Sequence, residues 1–203
     1  MPVTLPTDRS LSGTLVDLVP LRRDHLPALL DIAYASVDEF RLTSTPVDQQ
    51  QADAYFGQAF EETKAGIAYV VTVLDKTGTI IGTSRLTDLV PRHRCCELGY
   101  TWYDPAVFNS GVNIECKLLL LSFAFEEMAL NRVQLVTDTR NLRSQRSVRA
   151  LGASYEGVLR RHKVAKDGYV RDSMLFAITD VTWPTVKTHL QARLRRRLAQ
   201  APS

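Results

Sequence analysis

The sequence predicts an α+β fold on a mixed sheet, and three observations carry that prediction. Alternating or β-branched apolar runs take turns along the chain with stretches of helical apolar spacing. Two strand pairs are joined by the short turns Lys76-Thr77-Gly78 and Lys166-Asp167-Gly168, which read as antiparallel hairpins. Across residues 97–138 a strand, a long helix and a strand follow one another, the pattern of a parallel crossover.

Taken in order, residues 13–21 alternate and form a first strand. Residues 22–35 carry Leu26, Leu29, Leu30 and Ala33 at helical spacing, with Asp24 near the positive end of the helix dipole. A second helix spans residues 48–64. Residues 67–74 and 79–86 form a hairpin, and residues 97–103 a further strand ending at Asp104-Pro105. Ile114, Leu118, Leu121, Phe125 and Met128 then make one apolar stripe on a long helix, and Leu119, Leu120 and Phe123 extend its apolar surface to other sides. A strand at 132–138 leads to a short helix at 142–151, stopped by Gly152 in the C′ role. The final hairpin pairs residues 155–164 with 169–178, and residues 183–199 form a helix rich in arginine. No repeat or low-complexity linker divides the chain. The expected organisation is one domain over 1–180 and a basic C-terminal helix or tail over 181–203.

Composition excludes several classes. The chain has 203 residues, 45% apolar and 23% charged, and a net charge of +3. These are values of an ordinary globular protein, neither disordered nor fibrous. Three cysteines make no disulfide framework, and Cys95 and Cys96, as strand neighbours, point to opposite faces. No metal site is expected, and the thiols read as reduced. The N-terminus has no basic segment followed by an apolar one, and residues 118–125 are too short to span a bilayer. A cytoplasmic protein with no membrane partner is the expectation.

Chemistry concentrates where residues 104–117 join a strand to the long helix. Asn109, Ser110, Gly111 and Asn113 are small or tolerate positive φ, and the helix behind them offers free amides. A phosphate nest and a plain tight turn both fit this spacing. Arg140, Arg143, Arg146 and Arg149 follow at steps of three and so do not share one helix face. Asn141, Arg143 and Ser144 sit at a helix start facing the same crevice. Glu97, on a mostly apolar strand, reads either as a desolvated base or as a partner of Arg94 or Arg85. Asp172 is expected to pair with Arg171. The four histidines make no nucleophilic triad.

A succession of motifs resembles the GNAT acetyltransferases, and within them the RimJ/RimL type, which acetylates protein N-termini and related amines. It runs Glu97-Leu98-Gly99-Tyr100-Thr101-Trp102, Asp104-Pro105, Gly111-Val112-Asn113-x-Glu115-x-Lys117, Thr137-Asp138-x-x-Asn141-x-x-Ser144, Leu151-Gly152-Ala153 and Glu156-Gly157. The resemblance covers about residues 11–180. It implies a central mixed, mostly antiparallel twisted sheet with a parallel β-α-β crossover and helices on both faces. It also implies acetyl-CoA as donor. Its pantetheine arm would run along Thr101, Trp102 and Tyr103, and its pyrophosphate would lie on Asn109, Ser110, Gly111, Val112, Asn113 and Ile114. Asn141 and Arg143 would close the other side. Phe108 stands where the family's phosphate loop has Gln or Arg, and Asn113 where it has a small residue, so the cradle is left to backbone amides.

By the same resemblance Glu97 is the base and Ser144 the donor of a proton to the leaving sulfur. Phe40, Arg41, Arg85 and Trp102 would line the site of the acceptor, a small-molecule or peptide amine. Three readings stay open: an N-acetyltransferase, an acyl-CoA-binding relative that is non-catalytic or moves another acyl group, and an RNA- or ribosome-associated module using Arg193, Arg195, Arg196 and Arg197. An obligate nucleic-acid partner is not expected, and no sequence signal decides whether the chain forms a homodimer.

Overall fold

The computed structural model describes residues 7–200. Eight strands form one sheet: β1 (Leu11–Ser12), β2 (Val16–Pro20), β3 (Tyr69–Asp75), β4 (Ile80–Val90), β5 (Cys95–Tyr103), β6 (Arg132–Asp138), β7 (Ser154–Val164) and β8 (Val170–Thr179). Their spatial order is β1-β2-β3-β4-β5-β6-β8-β7. Every neighbouring pair is antiparallel except β5 and β6, which are parallel. The helices are α1 (Leu26–Ala35), α2 (Gln49–Lys64), α3 (Val112–Ser122), α4 (Leu142–Leu151) and α5 (Trp183–Ala199). The α+β class and the crossover through α3 are as expected.

Both sheet faces are covered, because adjacent strand residues point to opposite sides. Trp102 joins Leu29, Ala33, Phe40, Tyr55 and Phe56 beneath α1 and α2. Its neighbour Tyr103 joins the larger core with Cys116, Leu120 and Leu121 of α3 and Trp183, Val186 and Leu190 of α5. The C-terminal helix is therefore built into the main core, with Trp183 stacked on Phe125 at a centroid distance of 5.3 Å.

Several boundaries differ from expectation for local reasons. The first strand is split into β1 and β2, because the amides of Thr14, Leu15 and Val16 turn to the Glu115 carboxylate at 2.8, 2.6 and 2.9 Å. Gly13 permits this, since a Cβ there would lie 2.5 Å from Glu115 Cδ. Helix α1 begins at Leu26 after a 3₁₀ turn over Arg23–His25. The long helix does not continue as α to Met128 but widens into a π turn at Phe123–Glu127. Ile114 and Leu118 are only half-buried, whereas Val112, Glu115, Cys116, Lys117, Leu120 and Leu121 are buried, so α3 is enclosed on several sides. Asp48 caps α2 through the Gln51 amide, and Gly152, at φ 93°, ends α4. All three cysteines are free thiols.

The feature that positions the site is a wedge between β5 and β6. They pair only at Cys95–Arg132, Cys96–Val133 and Glu97–Gln134. Beyond Glu97, β5 stays with β4 and bulges near Tyr100, whose φ is +50°, while β6 stays with β8 along its whole length. The two strands part, and the β6-facing edge of β5 is left without a strand partner.

Candidate active site

The wedge opens into a cavity of about 680 Å³, a volume suited to a small-molecule ligand. Its walls include residues 97–103 of β5, Val136–Asp138 of β6, Phe108, Asn109, Gly111, Asn113 and Ile114 before and within α3, and Asn141, Arg143 and Ser144 of the α4 start. Most of the expected site residues thus converge. Ser110 and Val112 do not line it: the Ser110 hydroxyl donates to the Val107 carbonyl at 2.6 Å, and Val112 is buried in the core.

The expected acceptor residues separate. Phe40 and Trp102 line the cavity, with ring centroids 5.9 Å apart. Arg41 is exposed and not on its wall. Arg85 is fully buried behind the wall, between the rings of Tyr55 and Tyr100 at 4.1 and 4.4 Å. It donates to the Tyr55 carbonyl at 3.1 Å, while Trp102 Nε1 donates to the Tyr55 hydroxyl at 3.1 Å. Arg85 therefore props up the β5 bulge from below.

Glu97 is only 6% exposed. It pairs with neither Arg94 nor Arg85. Gln134 Nε2 donates to it at 3.2 Å, and the Lys163 ammonium lies 4.0 Å away. Burial pushes its pKa above the usual carboxylate range, against the opposing pull of Lys163 and Gln134. Lys163 stands opposite Arg171 across β7 and β8, and both line the cavity. Asp172 pairs with Arg160 rather than Arg171, at 2.7 Å. Arg171 has no acidic partner among the described residues, and its buried Nε is unsatisfied.

Lys117 of α3 also reaches the cavity wall. Its ammonium donates to Ser84 Oγ at 3.2 Å and to the Thr101 hydroxyl at the β5 bulge. Burial brings its pKa down to about 8. Sequence reasoning missed it, although a lysine in so apolar a helix was a usable signal. Lys163 and Arg171 carried no such signal, because only the folded hairpin aims them at the cavity.

The α4 start is organised by Asn141, whose Oδ1 accepts from the Ser144 amide at 2.9 Å. The α1–α2 loop is tied down at two points. Lys166 Nζ donates to the carbonyls of Phe40 and Thr45 at 3.0 and 2.9 Å, and Arg143 bonds the Glu39 carboxylate and carbonyl. Phe108 lies under the Arg143 guanidinium at 5.0 Å, filling its family position with a stacking surface. Of the arginines at 140–149, Arg140 pairs with Asp138, and Arg149 lies over Tyr155 and Phe176. Only Arg143 and Arg146 of that group line the cavity.

At the α3 start, Asn109 has φ +61° and Gly111 φ +105°. The first intrahelical bond there runs from the Glu115 amide to the Gly111 carbonyl, and the Val112 amide donates to Ser110 Oγ at 3.3 Å, which leaves the Asn113 and Ile114 amides available to an anion. A Cβ at Gly111 would meet Leu15 Cδ1 at 3.1 Å and Arg197 Cγ at 3.3 Å. The wedge, the positive-φ cradle and this spacing fit a thioester cofactor with an extended arm and a diphosphate.

The model of the acetyltransferase (GNAT) domain matches residues 16–154. The chain belongs to the GNAT acetyltransferase family. It is 30% identical over 123 residues to the uncharacterized N-acetyltransferase YoaA of Bacillus subtilis, covering 61% of this chain and 67% of that one. A provisionally assigned acetyltransferase of T. thermophilus superposes with a TM-score of 0.81 at 33% identity, covering 92% and 97% of the two chains. Mycobacterium smegmatis RimJ, solved with CoA-disulfide, superposes at 0.79 and 19% identity over 92% and 95%, a likeness of fold. RimJ and RimL proteins thus stand among the structural neighbours of this GNAT chain, and the family uses acetyl-CoA. No helix among the described residues is long and apolar enough to cross a membrane, and they hold no metal-binding cluster.

Proposed function

We propose that this GNAT enzyme acetylates a small amino-acid-like amine, with Glu97 as base and Ser144 as acid. The cofactor supplies an activated acetyl thioester, so the chain needs only to align the acceptor and move protons. The unpaired edge of β5 over residues 101–103 is a surface for the pantetheine arm, and the cradle at 109–114 is one for the diphosphate. Asn141 organises the α4 start, where Ser144 lines the wedge and serves as the donor of a proton to the leaving sulfur. Glu97, raised in pKa by burial, accepts the proton of the acceptor ammonium. Backbone amides of the β5 bulge, backed by the Lys117–Thr101 contact, favour negative charge growing on an oxygen nearby.

The observation that carries the acceptor class is the cationic pair Lys163 and Arg171 beside Glu97. Like charges opposite each other on a sheet repel, so their placement favours an anionic group on the ligand. An amine and a carboxylate two bonds apart would meet Glu97 and this pair together. A screen of acetyl-CoA consumption over α-amino acids, their carboxamides, dipeptides, longer N-terminal peptides and aminoglycosides tests the proposal. Turnover of amino acids with a raised KM for the matching carboxamides is expected. Equal use of carboxamides, or exclusive use of longer peptides, would overturn the acceptor class, and no acetyl transfer to any amine would overturn the activity.

A further inference from the structure

The arginines of α5 have no part in the reading above, although two of them reach the cavity. Arg193 and Arg197, four residues apart, share one helix face and line the wall with Gly111, Asn113 and Ile114. The Arg197 stem lies against the phosphate cradle at Gly111. Arg196, Gln200 and Ile114 bound a hollow of about 230 Å³ beside it, which Arg193 and Arg197 also line. None of Arg146, Arg193, Arg196 and Arg197 has an acidic partner among the described residues. Arg193 donates to the Ala150 carbonyl, which fixes its position at the end of α4. Burial, with Arg196 and Arg197 nearby, lowers its pKa, so the cluster is short of negative charge.

This excess lies far from the acceptor. Glu97 and Tyr103 are six positions apart on β5, about 20 Å of extended chain, and the cradle follows Tyr103. With the free Asn113 and Ile114 amides of α3 assigned to the diphosphate, two to three guanidinium groups are left without an anion. Arginine forks match phosphate oxygens in charge and in geometry.

We infer that α5, outside the segment matched by the family model, forms a subsite for the 3′-phosphate monoester of coenzyme A through Arg193 and Arg197. The inference rests on acetyl-CoA being the donor. It gives the basic C-terminal helix a task and makes the cofactor's nucleotide end, rather than a polyanion, its ligand.

Calorimetric titration of the full chain with CoA and with 3′-dephospho-CoA tests it. CoA should bind about tenfold or more tighter, the range of one or two charged hydrogen bonds. In Arg197→Gln, and further in Arg193→Gln/Arg197→Gln, the ratio should fall toward one while the affinity for 3′-dephospho-CoA stays within about threefold. Arg197→Lys should retain part of the preference. Thermal melts identify any misfolding of the Arg193 variant, and Arg197→Gln alone keeps the Ala150 contact. Equal affinities in the wild type, or a ratio unchanged by both variants, would overturn the inference and leave the acetyl-CoA reading intact. Failure of both ligands to bind would instead remove the acetyl-CoA reading on which it rests.

Discussion

Glu97 Oε1 lies 4.0 Å from Lys163 Nζ, joining the strand at the closed end of the wedge to the terminal hairpin. The ion pair is half-made: close enough to hold the carboxylate in place, too long to satisfy it. A ligand at this end of the cavity would meet a carboxylate with spare accepting capacity beside Lys163 and Arg171.

Glu97→Gln should lower kcat by about 100-fold or more, the usual share of a general base. The same change should stabilise the fold near neutral pH. The folded pKa of Glu97 is raised, so its stabilising effect is complete below the ordinary carboxylate range and lost as pH climbs through the raised value. Denaturant midpoints of both proteins from acid to neutral pH check the sign, and a less stable variant at neutral pH would contradict it.

Lys117 should titrate in the opposite sense. Its ammonium destabilises the fold fully below about pH 8, and the penalty fades as pH rises from there toward the ordinary lysine value. Relative to Lys117→Met, the wild type should gain stability between pH 8 and 10. Parallel pH dependences for the two proteins would show that the ammonium is not held as described.

The Glu115 carboxylate accepts three amides at the start of β2. Glu115→Ala should cost about 2–4 kcal/mol by leaving those donors unpaired. Gly13→Ala, which forces a Cβ into the same carboxylate, should cost about 1–3 kcal/mol as an overpacking change. Urea midpoints measure both, and a neutral Gly13→Ala would mean that the turn relaxes freely.

Lys166→Met should free the α1–α2 loop at the Phe40 and Thr45 carbonyls. Faster proteolytic nicking within 36–46 and a several-fold higher KM for the acceptor are expected, with CoA affinity unchanged. A variant that loses CoA affinity instead would place this lysine's influence at the other end of the cavity.

Local sequence signals reach as far as local physics does. Alternation, helical spacing and the Gly152 stop are decided within a few residues, and the elements they mark form, except that the first strand splits at the Glu115 carboxylate and the long helix stops as α at Ser122. The motif order along β5, α3 and α4 likewise placed Glu97, Asn141, Ser144 and the 109–114 cradle in one crevice, because a parallel crossover brings those strand ends together. Arg85 and Arg41 could not be assigned this way. Whether a β4 arginine faces a cavity or is sandwiched by Tyr55 and Tyr100 depends on a helix 30 residues away and on the bulge in β5.

By itself, then, the sequence determined the α+β class, the order of elements and the family chemistry, since these rest on periodicity and on short motifs. Tertiary structure alone decided which cations face the cavity. Arg140 and Arg149 are spent on Asp138 and on aromatic rings, whereas Lys163, Arg171, Arg193 and Arg197 are carried to the cavity by β7, β8 and α5. The reason is that charge carries no periodic signature: a cation's role is fixed by what lies opposite it, and strand pairing and helix packing place that partner across long chain separations.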